Sequence, residues 1–227
     1  MGLDMIGLLV HQPTLTDMLN MSWTELYAKM ERGELRSSRP LQDEVLTTTF
    51  AIDAEAELLD WMEQQQVDGA VKVSTALGTR TNGAEGLLQI MRFASPGQWE
   101  VWEGRAFLYL EVAIGRRASD IHELYDEEVW KLTFERLDNM SNEEFAQAVV
   151  LDWMERRKGL GETLEESQDP KIIPTFEAHT RAAKALVHLV SRVQNEPELV
   201  FILGREHLDA AKWGHGVWNL SAFVQSL

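Results

Sequence analysis

The sequence predicts a mostly α-helical protein. Three observations lead there. Two S-x-x-E capping boxes, Ser22 with Glu25 and Ser141 with Glu144, and a Ser95-Pro96-Gly97-Gln98 start mark helix openings. Behind them, apolar residues recur at three- and four-residue spacing, as in Trp23, Leu26 and Met30. Between these runs, breakers collect at Gly33, Pro40, Asp68-Gly69, Gly159 to Pro174 and Asn195-Glu196-Pro197.

In chain order, Met1 to Val10 is mildly apolar without a basic start or a small-residue cleavage site, so it reads as a short buried segment and not a signal peptide. A helix starts near Trp23, and Gly33 is its C′ stop. Arg36 to Glu44 reads as a loop, and Val45 to Ile52, rich in Thr and β-branched residues, as a short strand. Asp53 caps a helix running to about Gln66, and a domain boundary is placed at Asp68-Gly69, dividing the chain into 1–67 and 68–227. Ala70 to Leu77 fits helix or strand. Asn82 with Glu85 opens another helix. From Pro96, Trp99, Trp102, Ala106, Leu110 and Ala113 fall on one helical face, although the near-continuous apolar run Phe107 to Ile114 leaves a β-meander open for 99–114. Ser119 to Leu137, Ser141 to Lys158 and Thr175 to Gln194 read as amphipathic helices, and Leu199 to Lys212 and Val217 to Leu227 as shorter ones. One echo stands out: Leu59-Asp60-Trp61-Met62-Glu63 recurs as Leu151-Asp152-Trp153-Met154-Glu155, and Asn20-Met21-Ser22 as Asn139-Met140-Ser141, at unequal separations.

Composition narrows the function. The chain has 227 residues, an apolar share of 44% and a net charge of −16. That apolar share sustains a real core. There is no cysteine, which excludes disulfides, thiolate metal sites and cysteine nucleophiles, is compatible with a reducing compartment, and makes a cytoplasmic location the expectation. No run of eighteen apolar residues predicts a membrane span. Acidity repels the phosphate backbone of nucleic acids, and leaves solubility, docking on a basic protein or mimicry of DNA as its uses. Gly78 to Gly83 lacks the Lys and Ser or Thr of a phosphate-binding loop, and His11, His122, His179, His188, His207 and His215 have no metal-ligand spacing. No catalytic residue, cofactor or metal is expected. The chain holds eight Trp, and Trp213 and Trp218 sit in a Gly-rich terminal segment whose helices are too short to bury them, which points to a protein interface or self-association.

Residues 12 to 66 carry one further pattern. Leu15-Thr16-Asp17-Met18-Leu19 leads through Asn20-Met21-Ser22 into Trp23-Thr24-Glu25-Leu26-Tyr27-Ala28-Lys29-Met30, closing on Glu31-Arg32-Gly33-Glu34-Leu35; Phe50-Ala51-Ile52-Asp53 and Leu58-Leu59-Asp60-Trp61-Met62-Glu63 follow. A short helix, a turn ending in Ser, a second helix, a strand and a Leu-x-x-Trp helix resemble the excisionase/MerR-type winged helix-turn-helix. The resemblance covers about a quarter of the chain and implies duplex DNA binding, with Trp23, Thr24, Tyr27 and Ala28 toward bases, Lys29 and Arg32 toward phosphates, and Arg36 to Arg39 leading into the wing. The expectation is a non-enzymatic DNA-associated protein, a regulator or a phage-type DNA-packaging recognition subunit, whose acidic helical remainder serves oligomerisation or partner binding. The alternative is an acidic helical adaptor or inhibitor that docks on another protein, with 12–66 as a plain helical subdomain.

Overall fold

A computed structural model describes residues 4–35, 54–80, 82–119, 123, 127–159, 173–205, 214–215 and 218–227. Within them the chain is mostly helical, built around a three-stranded sheet. The central strand is β1 (Asp4–His11), flanked by β2 (Gly97–Trp102) and β3 (Leu199–Arg205), both antiparallel to it. Ile6 lies between Glu100 and Gly204, and Leu9 between Gly97 and Phe201.

Alternation along β1 creates two cores. Ile6, Leu8 and Val10, with Val200 and Ile202 of β3, face α1 (Gln12–Asn20), α2 (Trp23–Glu31), α3 (Ala54–Gln64), α4 (Val73–Thr79) and α5 (Gly83–Phe93). Met5 and Leu9, with Trp99, Val101 and Phe201, face α6 (Glu103–Ile114), α7 (Glu127–Asp138), α8 (Asn142–Gly159) and α9 (Ile173–Asn195). The sheet is therefore covered by helices on both sides. Gly7 pairs with Trp99 and Leu203, and a Cβ there would sit 2.5 Å from the Phe201 ring, so the glycine admits that ring to the second core. A two-residue pairing of β4 (Gly214–His215) with β5 (Trp218–Asn219) precedes α10 (Leu220–Ser226), which packs on α4 and α5.

The two Ser capping boxes stand where the sequence places them, whereas Asn82 precedes α5 in a left-handed conformation and makes no side-chain cap. Glu25 N–H donates to Ser22 Oγ at 3.2 Å, and Ser141 and Glu144 cap each other reciprocally. Gly33 has φ +67°, with Gly33 N–H to the Met30 carbonyl and Glu34 N–H to the Lys29 carbonyl, a Schellman end. Residues 73–79 and 103–114 are helical.

Three expectations are corrected. Pro96 opens β2 and not a helix: Trp99 and Val101 alternate into the second core, and the strand's backbone pairs with β1. Leu199 to Arg205 is a strand, because a continuous apolar run fits a strand covered on both faces; Met5 to Val10 is buried for the same reason. The boundary at 67/68 crosses a single core, since Leu58 and Trp61 share it with Val73, Leu77 and Leu87. The strand expected at 45–52 lies outside the described residues.

Candidate functional site

The residues predicted to meet DNA fall on α2. Trp23 is fully buried, its ring 5.7 Å from that of Trp61, and its indole N–H has no partner among the described residues. This corrects its placement as a base reader: it shares the apolar face of Leu26 and Met30 and holds α2 to the core. Thr24 and Arg32 are exposed, Tyr27 is 40% exposed, and Ala28 and Lys29 are half-buried. The start of α2 is closed by the chain around Gly69. Trp23 N–H donates to the Val71 carbonyl at 3.1 Å, Thr24 N–H and Oγ–H both reach the Gly69 carbonyl at 3.0 Å, and Val73 N–H returns to the Met21 carbonyl at 2.9 Å. The N–H groups that a groove-reading helix would turn toward phosphate are thus engaged within the protein. Lys29 faces Glu25 at 3.9 Å, and Arg32 makes a two-point pair with Glu34 at 2.5 and 3.1 Å. Arg36, Arg39 and Trp213 lie outside the described residues, as does the side chain of Trp218.

Acid exceeds base in both helical layers once the stretches that join their helices are counted. The segments 4–35 and 54–80 carry Asp4, Asp17, Glu25, Glu31, Glu34, Glu55, Glu57, Asp60, Glu63 and Asp68 against Lys29, Arg32, Lys72 and Arg80. Of the acids, Asp17, Glu25, Glu31, Glu34, Glu57, Asp60, Glu63 and Asp68 are exposed. The segments 103–119, 127–159 and 173–195 carry Asp and Glu in the same number as Lys and Arg, eleven of each. Over the continuous sequence the two layers are alike, with fourteen acids against seven bases in 1–95 and eighteen against twelve in 103–195, so the excess of acid belongs to both.

The α6–α9 layer holds two polar clusters that the sequence reading did not single out. His179 of α9 is 1% exposed, with Nδ1 2.7 Å from Tyr109 Oη of α6, and its Nε2 has no hydrogen-bond partner among the described residues. Trp153 packs beside it at 5.1 Å, with Phe176 edge-on to the indole and the Arg157 guanidinium 5.2 Å from the ring centre. Burial, with Arg105 nearby, pushes the His179 imidazolium down to about 4 from its ordinary 6.5, and burial pushes the Tyr109 phenol up. At neutral pH both are uncharged. The second cluster centres on the buried Glu111 of α6. It accepts from Ala118 N–H at 2.8 Å, from Arg117 at 3.2 Å and from Arg156, and both arginines also hold Asp152. Every partner is a protein group, so this node ties α6 to α8 and the following turn. The one sequence signal for it is a lone acid within the apolar run Phe107 to Ile114.

Outside these clusters, a groove of about 430 Å³ runs between α8 and α9, floored by Ala146, Val150, Met154 and Phe176, with Leu151 on its wall. Glu143 and Lys184 close one end, paired at 2.9 Å. Among the described residues no three His, Asp or Glu side chains are grouped to hold a metal ion, and no helix is long and apolar enough to cross a membrane. No protein-family model, curated protein or solved structure matches the chain.

Proposed function

We propose that the protein is a non-enzymatic docking module, an acidic adaptor or inhibitor that binds a basic partner protein through its α1–α5 side. The net charge of −16, with Asp17, Glu25, Glu31, Glu34, Glu57, Asp60, Glu63 and Asp68 all exposed on this side, carries this reading. The buried polar clusters add no reactive arrangement: the ionic node is saturated by protein partners, and the Tyr109–His179 pair is enclosed.

A photo-reactive side chain at the exposed position Gln64, beside Asp60 and Glu63, tests the reading in cells. The expected result is a discrete cross-linked species that disappears in the D60K/E63K variant and weakens as salt is raised. A species indifferent to both changes would overturn it. The helix-turn-helix reading stands as a second proposal on one observation, the two-residue link Met21-Ser22 between α1 and α2 with Thr24, Tyr27 and Arg32 outward. A mobility shift with random duplex at low salt separates the two. Docking through acid predicts no shift, and a salt-sensitive shift reduced by replacing Arg36 and Arg39 with Ala restores the DNA reading.

A further inference from the structure

We propose that Asn82 is a site of spontaneous backbone modification, at which the Gly83 nitrogen displaces the side-chain amide whenever the start of α5 opens. Three observations place it there. First, Asn82 alone among the six asparagines of the chain precedes a glycine, so no side chain crowds the attacking nitrogen. The fold itself demands both residues. Asn82 stands at φ +58°, a left-handed conformation that Asn tolerates, and a Cβ on Gly83 would overlap the Leu77 carbonyl oxygen. Second, both reacting groups are unengaged. Asn82 is exposed and its side chain makes no cap, and the Gly83 N–H, first in α5, makes no hydrogen bond among the described residues. Third, half of the reactive backbone shape is already present. Closing a five-membered ring needs the Gly83 nitrogen to lie beside the Asn82 Cβ, at φ about +60° and ψ about −120°, as at the first central residue of a type II′ turn. The φ is met, and ψ stands at +31°.

Rotating ψ carries the Asn82 carbonyl away from three donors, the Trp61 indole N–H at 3.1 Å, Glu85 N–H at 3.0 Å and Gly86 N–H at 3.4 Å. The folded turn therefore holds the reaction off, and local opening releases it. In the step itself the Gly83 nitrogen gives its proton to solvent base and bonds to Asn82 Cγ. The Cγ–Nδ2 bond breaks, and Nδ2 takes a proton from solvent and leaves as ammonia. Water then opens the cyclic imide. Cleavage at Cγ leaves an ordinary aspartate at position 82; cleavage at the backbone carbonyl leaves isoaspartate, with the main chain running through Cβ and Cγ. The isoaspartyl product displaces the carbonyl that anchors Trp61, and so loosens α3 against α5, which meet where the Trp61 ring lies over Gly86.

Peptide mapping by mass spectrometry of the full chain, aged in mildly alkaline buffer with and without unfolding urea, tests the proposal. In urea, aspartate and isoaspartate should form at position 82 faster than at the other five asparagines by about tenfold or more, because only there is the next residue bare of a side chain. Without urea, conversion at position 82 should slow by about tenfold or more, since it waits on opening of the turn. W61F removes one of the three donors that hold the carbonyl. It should raise the rate in buffer about fivefold, the weight of one hydrogen bond, and leave the rate in urea unchanged. Equal wild-type rates with and without urea would overturn the proposal, a comparison that stands even if W61F fails to fold. So would conversion of another asparagine ahead of Asn82 in urea, or a folded W61F that converts no faster than the wild type.

Discussion

Protonation of His179 should govern how this protein loses stability in mild acid. The imidazole is enclosed by Trp153 and Tyr109, has Arg105 as its charged neighbour, and offers its Nε2 no acceptor among the described residues. Its folded-state value is about 4 against 6.5 in the unfolded chain. Between those values the unfolded state binds the proton and the folded state does not, so stability rises with pH. The contribution is complete above pH 6.5, falls as pH drops through the window to about 4, and is absent below it. At pH 4.5 the expected loss relative to neutral pH is about 2.5 kcal/mol, from about 1.4 kcal/mol per pH unit. His179→Gln keeps a hydrogen-bonding amide toward Tyr109 and removes the titration. Urea unfolding followed by tryptophan fluorescence should therefore show the wild type losing about 2.5 kcal/mol more than the variant between pH 7 and pH 4.5, at a common denaturant slope. Parallel curves for the two proteins would refute the argument, as would a His179 ring resonance that titrates near pH 6.5.

Two substitutions examine the cores on either side of the sheet. Trp23→Ala should cost about 3–5 kcal/mol of unfolding free energy, the scale for deleting a large buried ring, whereas a ring lying in a DNA groove would leave the free protein's stability untouched; denaturant midpoints decide between them. Glu111→Gln removes one of the two carboxylates that Arg117 and Arg156 share, leaving Asp152, and should cost about 2 kcal/mol, below the range for a fully buried pair because Asp152 remains and both guanidinium groups reach solvent. Hydrogen exchange of the Ala118 amide, which donates to Glu111, should rise with it.

Local signals determined the helical part of this protein. A capping box needs only residues three apart, and a Schellman end needs only the last turn, so the starts at Trp23 and Asn142 and the stop at Gly33 were readable without tertiary context. Periodicity also placed Trp23 with Leu26 and Met30 on one face, and the structure follows that placement over the one implied by the helix-turn-helix resemblance. The sheet was not readable in the same way. Met5 to Val10 and Leu199 to Leu203 are continuous apolar runs, which suit a buried strand or a buried helix equally, and their strand partners lie far along the chain. Only assembly supplies the backbone hydrogen bonds that decide the matter. The polar clusters depend on the same step. Tyr109 and His179 are 70 residues apart, and Asp152 stands 35 from Arg117. Net charge was legible from composition, but the division into two cores was not, because β1 sends alternate residues to opposite faces and the helices that cover each face come from different stretches of the chain.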